Sequence, residues 1–89
     1  MSRETPDAIK ADAAYREYTA AREHVSACWA VVKADRKFGR KVRTTKNTTA
    51  IGHARDDRRE AILHSEVTAT TWRMADDSLQ YIAAKDDSQ

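Results

Sequence analysis

Residues that interrupt helices are scarce in this sequence, and that scarcity constrains the fold more than any other feature. Among 89 residues there are two glycines and one proline, namely Gly39, Gly52 and Pro6. Sandwiches and barrels need many tight turns, which glycine and proline supply. The sequence therefore predicts an all-α protein built from a few long helices.

The first predicted helix spans approximately residues 6–38. Thr5 is suited to cap it, Pro6 fits its first turn, and Asp7 lies at the positive end of the helix dipole. Gly39 is the predicted stop, because glycine readily takes the left-handed conformation that ends many helices. An apolar seam at heptad spacing, with two flanking aromatic residues, consists of Ala11, Ala14, Tyr15, Tyr18, Ala21, Val25, Cys28, Trp29 and Val32.

The second predicted helix spans approximately residues 49–85, with Thr48 or Thr49 as its cap. Its seam keeps one register and runs through Ile51, Ala54, Arg58, Ala61, Ser65, Thr68, Trp72, Ala75, Leu79 and Ile82, with Ile62, Ala69 and Ala83 alongside. Gly52 and the threonines of residues 68–71 are poor helix formers, each costing about 0.5 to 1 kcal/mol relative to alanine. A break at residues 65–71, which gives a three-helix bundle, is the alternative.

Residues 39–48 are expected to form a basic loop between the helices, because threonine and asparagine prefer caps and turns. A small β-hairpin over residues 42–51 is a less favoured alternative, because isolated hairpins are marginally stable. Two helices of similar length then form one domain, residues 1–89, as an antiparallel coiled-coil-like hairpin. Facing residue numbers should sum to roughly 88, which places Tyr15 and Tyr18 near Trp72.

The second helix carries another ordered apolar series on the side opposite its seam. On the first helix, Val31 and Phe38 also fall outside the predicted seam. Two opposed apolar faces cannot both pack on one neighbouring helix. The pattern therefore predicts a homodimer that forms a four-helix bundle, with a different protein partner as the alternative. The residues assigned to this interface are Val31, Phe38, Leu63, Val67, Thr70, Met74 and Tyr81.

Positive charge is concentrated around the predicted turn. Residues 33–59 carry ten basic and three acidic side chains, whereas residues 1–32 have a net charge of −1 and residues 60–89 a net charge of −4. Clustered cations neutralise phosphates, so this end is a predicted site for nucleic acid or an acidic protein, with a solvated loop as the alternative. Its residues are Arg36, Lys37, Arg40, Lys41, Arg43, Lys46, Arg55, Arg58 and Arg59.

Two groups of side chains have the residue types of a metal or catalytic site. One helix face carries His53, Asp57, Glu60 and His64, but its two histidines lie about 16 Å apart along the axis, too far for one ion. His24 and Cys28 are one turn apart inside a helix, where no backbone N–H is free to stabilise an oxyanion. We therefore expect no catalytic residue, metal ion, cofactor or small-molecule substrate.

These features predict a small non-enzymatic helical interaction protein that self-associates and uses a basic loop to contact nucleic acid or a nucleoprotein complex. The alternative is a protein-binding adaptor or inhibitor, of the type that phages encode as regulators, acting through the apolar series of the second helix. The single cysteine and the lack of a signal-peptide core or an apolar run of roughly 20 residues predict a cytoplasmic protein without membrane association.

Overall fold

Two long helices and a short loop make up the computed structural model, which describes residues 5–87, with side chains to residue 85. Helix α1 is Pro6–Thr44 and helix α2 is Thr48–Asp87. They pack against each other in a particle with extents of 65 × 27 × 13 Å. The predicted all-α helical hairpin is confirmed, and the described chain has neither a break at residues 65–71 nor a strand. Neither helix, over its described residues, is apolar enough along its length to cross a membrane.

The start of α1 has the chemistry that the sequence predicts. Thr5 is extended, and its Oγ1 accepts a hydrogen bond of 3.1 Å from the N–H of Ala8. This bond satisfies one of the N–H groups that a helix start leaves without an intrahelical partner. Pro6 occupies the first turn, and Asp7 follows it at the positive end of the dipole.

The predicted stop at Gly39 is wrong, because α1 continues to Thr44. No glycine of the described chain has a positive φ, so Gly39 keeps a helical backbone. Half-buried Phe38 and Lys41 extend the packed face of α1 across the glycine. Packing therefore outweighs the low helix propensity of one glycine, which costs about 1 kcal/mol.

The connecting loop is residues 45–47, much shorter than the predicted residues 39–48. Asn47 caps α2, because its Oδ1 accepts hydrogen bonds of 3.0 and 3.2 Å from the N–H groups of Thr49 and Ala50. Asparagine is among the strongest N-cap residues, so the predicted caps Thr48 and Thr49 lie inside the helix instead.

The predicted seam of α2 is the face that packs on α1. Ala54 and Thr68 are buried there, and the seam positions 51, 58, 61, 65, 75, 79 and 82 are half-buried. α2 passes through its threonine-rich segment without a break. The hydroxyls of Thr70 and Thr71 each donate a 3.1 Å bond to a carbonyl one turn earlier, so these side chains are accommodated within the helix.

The predicted seam of α1, by contrast, is wrong. α1 packs on α2 through buried Ala13, Ala20 and Ala27, and half-buried Val31 and Phe38 continue this face, although they were predicted to lie outside the seam. Nearly all residues of the predicted seam are exposed instead, namely Ala11, Ala14, Tyr15, Tyr18, Val25, Cys28, Trp29 and Val32. The prediction followed the larger apolar side chains, whereas small alanines let α1 approach the bulkier residues of α2.

The register also differs from the prediction by about one helical turn. The difference is clearest where His24 meets Thr68, whereas Trp72 lies at the predicted level of α1, where its indole N–H donates a 2.8 Å hydrogen bond to the carboxylate of Glu17. The cause is the longer α1, which moves the turn to residue 46. Facing positions therefore sum to about 92, as in the pair of residues 24 and 68.

Candidate interaction surfaces

The interior between the two helices is thin. The buried residues of the described chain are four alanines and Thr68, and no large side chain within residues 5–85 is fully buried. Burying a leucine or phenylalanine contributes about 1.5 to 3 kcal/mol, and a single methyl group contributes much less. The seam between α1 and α2 therefore provides little of the hydrophobic stabilisation that a folded domain needs.

A polar layer crosses the middle of this seam. The Thr68 hydroxyl donates to the carbonyl of Ser65 at 2.9 Å, so the 3.0 Å bond with His24 requires Nδ1–H of the imidazole to donate to Thr68 Oγ1. The imidazole also stacks on the Trp72 indole, with ring centroids 5.8 Å apart. A shift of one turn would separate these partners, so the layer favours the observed register.

Cys28 lies next to this layer but is exposed, contrary to its predicted burial in the seam. Its Sγ is 3.6 Å from Nε2 of His24. With the proton on Nδ1, Nε2 is an acceptor, and the thiol donates to it. Both residues lie inside α1, where backbone N–H groups bond within the helix. The pair thus has the predicted one-turn contact and no backbone donors for an oxyanion.

Metal-ligand residue types do not converge in the described chain. Within residues 5–85, no group of three or more histidine, cysteine or acidic side chains has the geometry to hold an ion. The face with His53, Asp57, Glu60 and His64 is therefore a polar surface of α2.

On one flank of the hairpin, exposed apolar residues of α1 lie on the same side as half-buried apolar residues of α2, and we call this surface the apolar flank. In each helix, the residue that directly follows a seam residue lies to one side of the seam. Because the two helices run antiparallel, this side is the same flank of the hairpin for both. On α1 this places Tyr18, Val25 and Val32 there, and on α2 it places Ile62 and Ala69 there. Tyr18 and Val25 are each 56% exposed, although both were predicted to be core residues.

A second apolar surface, the α2 stripe, lies on the side of α2 that faces away from α1 and from the apolar flank. It contains most of the residues predicted for a dimer interface, all exposed: Leu63, Val67, Thr70, Met74 and Tyr81. The other two predicted interface residues, Val31 and Phe38, belong to the intramolecular seam. The described part of the hairpin therefore exposes two apolar surfaces, the apolar flank and the α2 stripe.

At the basic end, three of the predicted cations are engaged within the hairpin. Asp35 pairs with Arg58 at 3.1 Å, and the Arg58 guanidinium also lies over the Phe38 ring. The two other ion pairs of this end join Asp57 to Lys37 at 4.0 Å and Asp56 to Arg55 at 3.7 Å. All three acidic side chains of residues 33–59 are thus already paired. Lys41 is half-buried in the seam.

The other predicted cations of this end, Arg36, Arg40, Arg43, Lys46 and Arg59, are exposed. Arg36, Arg40 and Arg43 follow one another at spacings of four and three residues on the outer face of α1. Lys33, which is not among the predicted cations, continues the same line by one turn. We call these four residues the basic row.

The sequence predicts Arg36, Arg40 and Arg43 as binding residues, but neither their alignment with Lys33 nor the apolar flank, although a signal for both arrangements was present. Alanine recurs at every seventh residue of α1, at positions 13, 20, 27 and 34. A strict seven-residue repeat marks the packed seam of a helix pair, even when its members are small. When the seam is placed on this repeat, Tyr18, Val25 and Val32 lie on one flank of α1. The basic row then lies on the outer face of the helix.

No protein-family model, curated protein or solved structure matches this chain. The chemistry of these surfaces is therefore what indicates a function.

Proposed function

We propose that the protein is a non-enzymatic helical interaction module, in which two copies pack through their apolar flanks to form a four-helix bundle. The observation that supports this most strongly is the division of α1, with alanine toward α2 and large apolar residues away from it. Apolar surface in contact with water costs about 25 cal/mol per Å². Contiguous exposed apolar surface on a small soluble domain is typical of an interaction site.

The shape of the hairpin suits this assembly. A flat particle of 65 × 27 Å has a face about twice as large as the roughly 800 Å² per partner that a standard interface buries. Residues from both helices line the apolar flank, so a second hairpin seated there meets two helices at once. That contact gives the four-helix arrangement, in which side chains from all helices share one core.

The charge distribution favours an antiparallel arrangement of the two copies. Residues 33–59 at the loop end have a net charge of +7, whereas the other two segments are net negative. A twofold axis across the apolar flank places the basic end of each copy beside the opposite end of its partner. Opposite charges then face each other at both ends, and the symmetry closes the assembly at two copies.

Sedimentation velocity of matched variants tests this proposal. The wild-type protein should have about twice the 10.1 kDa chain mass at micromolar concentration. Val25→Glu should dissociate it, because a carboxylate would be desolvated in the interface. Ser78→Glu is the control, since it adds the same charge at an exposed position of α2 that precedes seam residue 79 and so lies on the opposite flank. A wild-type monomer, or a dimer that persists in Val25→Glu, contradicts the proposal.

A second candidate function is supported by the exposure of the α2 stripe, where Val67 and Met74 are 63% and 66% exposed. In this function the stripe binds a helix of a different protein, and the hairpin is an adaptor or inhibitor. Val67→Glu should then leave the dimer mass unchanged. If Val67→Glu dissociates the dimer and Val25→Glu does not, the α2 stripe is the self-association interface.

A further inference from the structure

The basic row has a geometry that clustered charge alone does not require. Lys33, Arg36, Arg40 and Arg43 are all exposed and extend over about 15 Å along the outer face of α1. Their spacings of three, four and three residues place them on one side of the helix. The row faces away from α2, so neither the second helix nor the apolar flank covers it.

The charge of the basic row is uncompensated within the hairpin. The three acidic side chains of this end, Asp35, Asp56 and Asp57, pair with Arg58, Arg55 and Lys37. None of the ion pairs formed by residues 5–85 at this end includes a member of the row. Four unpaired cations in a line require counterions from solution, and their release favours binding of a polyanion.

Three of the four members are arginine, whose planar guanidinium donates two parallel hydrogen bonds to a phosphate. A helix with its side chains is about 10 to 12 Å wide, close to the roughly 12 Å width of the major groove of B-form DNA. Cations along the exposed side of such a helix reach the phosphates that border a groove. The chemistry of the row therefore matches a regular array of phosphates.

Two other polyanions fit less well. An amphipathic helix that binds anionic membranes places apolar side chains beside its basic face. Exposed Val32 and Val42 flank the row, but the face of α1 opposite to it packs on α2, so no wide apolar face of this helix is left to enter a bilayer. Binding of single strands depends on aromatic platforms for the bases, and Trp29 alone adjoins the row, at its N-terminal end.

We propose that the basic row binds the backbone phosphates of duplex nucleic acid without reading base sequence. This site goes beyond the interaction module proposed above, and it narrows the basic end predicted from the sequence to Arg36, Arg40 and Arg43 of α1, with Lys33 added. It is formed by one hairpin, so each copy of a dimer presents its own row.

Fluorescence anisotropy of labelled duplex DNA and duplex RNA, at salt concentrations from low to physiological, tests this proposal. Four phosphate contacts per chain predict a slope of log affinity against log salt of about −3.6 on duplex DNA. The double variant Arg36→Gln/Arg40→Gln should reduce the slope by about two. The two duplexes show which nucleic acid provides the phosphates.

The matched control is Arg55→Gln/Arg59→Gln, which removes the same charge from α2 and should keep most of the slope. Equal loss in both double variants would show that net charge, and not the row, drives binding, and would overturn the proposal. No binding of either duplex at low salt, or binding only to vesicles with anionic lipid, would also overturn it. Sedimentation of both variants separates this outcome from a failure of dimerisation, because it reports the oligomeric state of each variant directly.

Discussion

The two faces of α1 differ in the size of their apolar side chains, and the order is the reverse of that expected in a monomeric domain. The face toward α2 carries alanine at positions 13, 20 and 27, all buried, whereas the outward side carries Tyr18, Val25 and Trp29, each more than half exposed. In a monomeric domain the larger apolar residues occupy the interior. If two copies pack as proposed, the intramolecular seam sets the distance and register of the helices, and the contact between the copies provides most of the hydrophobic stabilisation.

Crosslinking should show, with an all-or-none result, which of the two apolar surfaces forms the dimer interface. The midpoint of α1 is residue 25, so an antiparallel dimer brings the two copies of Val25 together at its twofold axis. In a Cys28→Ser background, Val25→Cys should give a covalent dimer with a short bismaleimide reagent. Val67→Cys on the α2 stripe, in the same background, should remain monomeric on a denaturing gel. The reverse pattern would assign the interface to α2.

The inner face should respond strongly to added volume. Ala27→Leu puts three more carbon atoms into a site that is 4% exposed, and we expect it to lower the free energy of unfolding by about 1 to 3 kcal/mol. Ala30→Leu makes the same change at an exposed position of α1 and should stay within about 0.5 kcal/mol of wild type. Urea unfolding followed by circular dichroism measures both. Similar values for the two variants would show that the alanine face is not tightly packed.

Removal of the Thr68 hydroxyl should have an intermediate effect. In Thr68→Val the imidazole of His24 loses the acceptor for its Nδ1–H, which should cost about 1 kcal/mol. Thr71→Val is the control, because its exposed hydroxyl bonds only to a carbonyl of its own helix. The same urea titrations provide the comparison, and an equal loss in both variants would mean that the His24 contact contributes nothing to stability.

The smallest effect concerns the continuation of α1 past Gly39. Gly39→Ala should stabilise the hairpin by about 0.5 to 1 kcal/mol, since the residue is helical and an added Cβ meets only the flexible end of Arg43, at 3.4 Å. A left-handed stop at this position would instead make alanine destabilising. Thermal unfolding at fixed protein concentration distinguishes the two signs.

How far the sequence predicts this structure differs between the two helices. On α2 the bulky residues Trp72, Leu79 and Ile82 lie in the seam, so hydrophobic periodicity identifies the packed face. On α1 the same rule selects Tyr18 and Val25, because periodicity reports every apolar face and does not show which neighbour covers it. The stop at Gly39 failed for a related reason, since packing across residues 38–41 overrides local propensity.

The candidate surfaces show the same limit. Charge clustering predicted the basic end, but ion pairing decides which cations are available, and that depends on contacts such as Asp35 with Arg58 across the seam. The α2 stripe was predicted from its spacing and is exposed as expected, whereas its use as an interface stays a prediction. A single chain also contains no information about which copy or partner covers an apolar surface.

In the proposed assembly the hairpin is half of a larger core, and dilution tests this most directly. Folding and association of such a protein are coupled, so stability depends on concentration. We predict that helicity measured by circular dichroism falls when the protein is diluted from micromolar to low nanomolar concentration, together with the loss of the dimer in fluorescence-detected sedimentation. A 10.1 kDa monomer that keeps full helicity and an unchanged melting temperature across this range would contradict the account.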